Sequence, residues 1–100
     1  MSKIPIQLNK RKITMFCKKH HIAFLALFGS ILTPRFSPTS DVDILVKFEK
    51  SHIPSLFDLV DMECELSSIV GREVDLKTPN ELSRYFRAQV LTKAKIIYER

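Results

Sequence analysis

The sequence predicts an α/β (α+β) domain in which a small mixed sheet is flanked by helices. Three observations carry that prediction. Short apolar runs of strand length alternate with longer amphipathic segments of helical period. Gly, Pro or a capping residue punctuates nearly every junction between them. The length, 100 residues, suits a single domain over residues 1–100 with one modest core.

Taken in order, residues from about Gln7 to His20 form a first helix, with Leu8, Ile13, Phe16 and Cys17 as a partial apolar stripe between lysines. "HIAFLALFG" is a compact apolar run ended by Gly29, short enough for a buried strand. "SILTPRFSPTS" holds two prolines and several hydroxyls, so it reads as a brief helix and loop. "DVDILVKFE" alternates and then turns apolar, the mark of a strand packed on both faces. Pro54 suits the first turn of a helix running to about Val70, with Leu59, Met62, Leu66 and Ile69 on one side and Gly71 as its stop. "EVDLKT" reads as a third strand. Thr78-Pro79-Asn80-Glu81 carries a capping box, so a further helix is expected from there to about Gln89. The tail "LTKAKIIYE" ends in a short apolar segment, either helical or a last strand.

Composition removes several function classes. No apolar stretch approaches the ~18 residues of a membrane span. "MSKIPIQLNKRK" lacks a signal-peptide core, so the cytoplasm is the expected location. Cys17 and Cys64 lie far apart in apolar helical contexts and read as buried free thiols. No set of zinc-ligand spacing accompanies His20 and His21, so metal binding is not expected of them. The net charge of +5 is segregated: +7 over residues 1–40, −6 over 41–75 and +4 over 76–100. Basic surfaces beside an acidic centre suit polyanionic ligands such as nucleotide phosphates. "NKRK" and "CKKHH" taken alone read as the solvated face of the first helix.

Asp41 is the first acidic residue in the chain, and Asp43 follows at the same-face position of a strand. Two carboxylates about 6.6–6.8 Å apart repel by roughly 2–3 kcal/mol at an effective dielectric of about 20. Aspartate is a poor strand former, and no cation in the adjoining sequence sits at strand-pair spacing to neutralise the two. A divalent cation offsets the repulsion. Asp75 repeats the theme between Val74 and Leu76, and it converges on the pair if the two strands are neighbours. Three carboxylates around one or two Mg²⁺ ions form the arrangement used in metal-assisted phosphoryl or nucleotidyl transfer. Gly29-Ser30, at a strand end, offers backbone N–H groups and a hydroxyl to the β- and γ-phosphates of a nucleotide. Lys47 and Arg72 are weaker phosphate candidates, for which a solvated strand end is the leading reading.

"FGS", ten residues, "DVDILV" and then "GREVDLKT" resemble the minimal nucleotidyltransferases of the polymerase-beta superfamily. Their pattern is Gly-Ser-x(10)-Asp-x-Asp with a later strand aspartate. The resemblance covers nearly the whole chain and implies a polymerase-beta-like nucleotidyltransferase fold. Such proteins resemble the antitoxin of HEPN–MNT toxin–antitoxin pairs, in which AMP passes from ATP to a tyrosine of a HEPN ribonuclease toxin and silences it. Carried over, Gly29 and Ser30 would hold the triphosphate, and Asp41 and Asp43 would bind two Mg²⁺ ions. Asp75 would be the third ligand and would help deprotonate the incoming hydroxyl. Where many relatives carry a turn of the type Arg-Ala-Arg-Gly, this chain has Ile31-Leu32-Thr33-Pro34, with Arg35 as the replacement nucleotide-binding cation. The implied partners are a HEPN-type toxin and ATP; direct nucleic-acid binding is not expected, and a homo- or hetero-oligomer is left open. Two alternatives stand beside this reading: an antitoxin that masks its toxin sterically, and transfer to a small molecule of the aminoglycoside type.

Overall fold

The computed structural model describes residues 6–100. Helix α1 (Lys10–Lys19) starts where the Asn9 side chain accepts the Lys12 N–H at 3.1 Å, and it ends with Lys18 and Lys19 against the negative end of its dipole. Ile13, Phe16 and Cys17, spaced three and four apart, are its buried face. Strand β1 (Ile22–Phe28) then pairs antiparallel with β2 (Val42–Phe48), in a register running from Ile22 opposite Phe48 to Phe28 opposite Asp43. A short 3-10 turn, Gly29–Leu32, begins the connection between them.

Helix α2 (Leu56–Val70) opens with a reciprocal capping box between Ser55 and Asp58 and closes at Gly71, whose φ of 79° favours glycine. Strand β3 (Val74–Lys77) lies parallel to β2, as a β-α-β crossover requires. The remaining elements are helix α3 (Arg84–Lys93) and strand β4 (Lys95–Glu99), which pairs antiparallel with β1. The sheet is therefore mixed, in the order β3-β2-β1-β4.

One face of the sheet packs on α1 and α2 through Val42, Ile44 and Val46 of β2, Leu25 and Leu27 of β1, and Met62 and Leu66 of α2. The other face carries a smaller cluster of Phe28, Leu45, Leu82 and Val90 beneath α3. Strand β2 is thus apolar on both faces, as its sequence predicts. The outer edge of β3 is covered by α2 side chains: Ser67 Oγ accepts the Val74 N–H at 3.0 Å and Glu63 Oε2 accepts the Leu76 N–H at 2.8 Å.

Several local expectations need correction. Pro54 stands outside α2, because Ser55 takes the N-cap and the helix begins at Leu56. The capping box at Thr78 and Glu81 forms, but it closes only the 3-10 turn Pro79–Glu81. The chain extends again at Leu82, and Ser83 caps a separate α3 that runs on to Lys93. The ambiguous tail is strand β4. Cys17 is buried as expected, whereas Cys64 lies on the solvent side of α2. Among the described residues no helix is long and apolar enough to cross a membrane.

Candidate active site

The two sheet faces divide β2 by its period of two. Val42, Ile44 and Val46 point into the main core, which leaves Asp43 on the α3 side with Leu45. β3 divides the same way, with Val74 and Leu76 buried and Asp75 facing out. Asp43 and Asp75 are direct register partners. Asp41 precedes β2 by one residue and is exposed. The charges of Asp41 and Asp75 both act on Asp43 at this sheet end. The Asp43 carboxyl is raised above its usual range by burial first, then by the charges of Asp75 and Asp41, with Lys77 and the Ser30 N–H opposing.

Gly29 fits this site twice over. Its φ is 78°, and a β-carbon built there would lie 2.3 Å from Asp43 Oδ2. The close approach brings the Ser30 backbone N–H near enough to Asp43 to lower its carboxyl against the effect of burial. The turn is closed by the Thr33 N–H and hydroxyl, both donating to the Ser30 carbonyl, at 2.9 and 2.8 Å. Gly29 and Ser30 are thus brought to the aspartates. Arg35 is exposed on the following loop, where its backbone N–H donates to Thr33 Oγ1; among the described residues it forms no ion pair.

Two cations have roles that the sequence reading did not assign. Lys77 Nζ lies 3.5 Å from Asp75 Oδ1 and is the positive charge that acts on Asp43. Its signal was present: it stands two residues after Asp75 and so shares its face. Arg72 donates to the Ser37 carbonyl at 2.6 Å, and its guanidinium lies 4.4 Å from the centre of the Phe36 ring. It therefore braces the loop that delivers Asp41. Lys47 sits over the Phe24 ring at 4.8 Å.

The residues fit a divalent cation. Three carboxylates share one sheet end against a single nearby ammonium, and the glycine lets the turn approach the Asp43 carboxylate closely. An oxygen-only donor set of this kind suits Mg²⁺. The triad is open: among the described residues, the three-residue group with all ligand atoms within 4.8 Å is His21, Glu49 and His52. A cleft of about 270 Å³ borders those histidines together with His20, Ile53 and Asp58, and includes none of the three aspartates.

Comparison with known proteins bears on the family and the fold. The family described as "Polymerase beta, Nucleotidyltransferase" matches residues 11–100. The provisionally named protein adenylyltransferase MJ0435 of Methanocaldococcus jannaschii is 38% identical over 85 residues, which span 85% of this chain and 89% of that protein. A solved toxin–antitoxin structure with AMP-PNP superposes with a TM-score of 0.73 at 24% identity, covering 93% of this chain and 75% of that one. A second, the tri-AMPylated HEPN toxin of Shewanella oneidensis in complex with its MNT antitoxin, gives 0.65 at 22% identity over 91% and 70%. These two likenesses concern the fold. The match over residues 11–100 and the relative at 38% identity decide the family: the chain belongs to the polymerase beta nucleotidyltransferases.

Proposed function

We propose that this nucleotidyltransferase transfers AMP from ATP to a tyrosine of a HEPN-type toxin in the cytoplasm, and so acts as the antitoxin of the pair. The observation that carries the proposal is that Asp43, beside the Gly29–Ser30 turn, is the register partner of Asp75 and feels the charge of Asp41. The choice of AMP and of a protein acceptor draws support from relatives named protein adenylyltransferases and from the AMP-PNP and tri-AMPylated toxin complexes of the same fold.

Asp41 and Asp43 would hold two Mg²⁺ ions, with Asp75 as the third ligand. Mg²⁺ supplies charge neutralisation on the phosphate oxygens and on the departing pyrophosphate. Gly29 and Ser30 receive the triphosphate, with the backbone N–H groups of the turn and the Ser30 hydroxyl as its donors. Arg35, exposed on its loop, approaches from the solvent side. Asp75 accepts the proton of the tyrosine hydroxyl, whose oxygen bonds to the α-phosphorus as the bond to pyrophosphate breaks. Mass spectrometry of a HEPN partner incubated with the chain, ATP and Mg²⁺ tests the reading. A tyrosine carrying AMP is expected, and it should be absent with Asp41→Asn. A partner left unmodified but tightly bound would instead support inhibition by masking.

A further inference from the structure

At the end of the β1–β2 pair remote from the aspartates, three side chains of metal-ligating type converge. The Glu49 N–H donates to the His21 carbonyl at 2.9 Å, and the His52 N–H donates to the Glu49 carbonyl at 2.9 Å. Backbone bonds thus hold all three residues together before any side-chain contact is counted. His21 Nδ1 lies 3.9 Å from Glu49 Oε1, and the His21 and His52 rings stack at 3.5 Å with 15° between their planes. One ligand atom from each residue lies within 4.8 Å of the other two. The second oxygen of Glu49, Oε2, is held by the Arg100 guanidinium, which leaves Oε1 turned to His21. Outer partners of this kind orient ligating carboxylates. His21 also keeps a φ of 57°, which a residue with a β-carbon adopts at a cost.

We propose that His21, Glu49 and His52 bind a transition-metal ion of the Zn²⁺ class at a second cation site. Two imidazoles and one carboxylate suit Zn²⁺ and its neighbours, whereas the oxygen-only aspartates suit Mg²⁺, so the two sites differ in donor chemistry. They also lie apart by the 7-residue length of β1, roughly 20 Å at strand rise. Tetrahedral bonds of about 2.0–2.1 Å place ligand atoms ~3.3 Å from one another. Coordination turns the exposed His21 and His52 rings out of their stack so that one nitrogen of each faces Glu49 Oε1, and water takes the fourth position. The ion clips together the entry to β1, the exit of β2 and the turn leading towards α2. In the chain the residues are 28 and 3 positions apart, which is why spacing alone hid them.

Calorimetric titration of the untagged chain with ZnCl₂, in excess Mg²⁺ to occupy the aspartates, tests the proposal. One equivalent of Zn²⁺ is expected to bind and to raise the melting temperature. His52→Ala is expected to weaken binding by at least about tenfold. His21→Asn should do the same while tolerating the left-handed backbone, and the circular dichroism of both metal-free variants confirms that they are folded. Zn²⁺ affinity unchanged in both variants, or no Zn²⁺ binding by the native chain, overturns the proposal.

Discussion

Asp43 of β2 and Asp75 of β3 face each other as register partners across a parallel strand pair, on the side of the sheet away from the main core. Adjacent strands lie only about 4.7–4.9 Å apart. The sheet thus holds two like charges side by side, with Asp41 adding a third and Lys77 offsetting part of the repulsion. Such an arrangement opposes folding and favours a cation.

The cost is measurable in the metal-free protein. Asp43 binds its proton more tightly in the fold than in the unfolded chain, so its ionisation destabilises the fold at neutral pH. That cost vanishes as the pH falls through the raised value towards the unfolded ~3.9. Asp43→Asn is therefore expected to stabilise the chain at pH 7 by a few tenths to about 1 kcal/mol, a small figure because the carboxyl is only partly buried. The advantage should shrink as the pH approaches ~4. Urea unfolding in EDTA at several pH values checks both the sign and the trend.

Gly29→Ala is expected to damage the site directly. The new methyl would meet Asp43 Oδ2 at 2.3 Å and would impose a left-handed backbone on alanine. A loss of about 1–2 kcal/mol in stability follows from the backbone alone. Nucleotide transfer should fall further than stability does, because the displaced group is Asp43. Thermal unfolding and initial rates on the same preparation separate the two effects.

Lys77→Met removes the ammonium beside Asp75. The Asp43 carboxyl is then expected to titrate at a higher pH than in the native chain, since a stabilising charge is lost while Asp75 and Asp41 remain. Carboxyl-carbon NMR of the metal-free protein reads that shift, and an unmoved titration would remove Lys77 from the site's electrostatics.

The two cysteines should behave differently. Cys17 is fully buried in the main core, and burial pushes its thiol up to about 12, while Cys64 is exposed. A thiol reagent at pH 8 is expected to modify Cys64 quickly and Cys17 only after denaturation. Peptide mapping of the labelled chain distinguishes them.

Elements whose signal is local were legible in the sequence. The i, i+3, i+4 stripe of Ile13, Phe16 and Cys17 marked α1, and the two-sided apolar run from Ile44 to Val46 marked β2. The Gly29-Ser30 and Asp41-x-Asp43 spacing marked the candidate site, and the sheet sets Asp75 opposite Asp43 in register. Tertiary partners were not legible. The capping box at Thr78 gave the right local bonds but not the length of the helix, because Leu82 leaves the turn to bury itself with Phe28 and Leu45. Arg72 carries no local sign that it will reach the Ser37 carbonyl, 35 residues away. Cys64 was misread because an apolar residue on this helix does not by itself mark the core side; Val60, one turn before it, is likewise exposed. His21 and His52 meet only because β1 and β2 pair in the observed register.

The most direct test of the central claim is a label-transfer assay with ATP carrying the label on either its α- or its γ-phosphate, a HEPN partner and Mg²⁺. The α-label should appear on the partner and the γ-label should not. Asp41→Asn, Asp43→Asn and Asp75→Asn should each abolish transfer in protein that remains folded. Transfer of the γ-label, or α-label transfer undiminished in Asp43→Asn, would contradict the account.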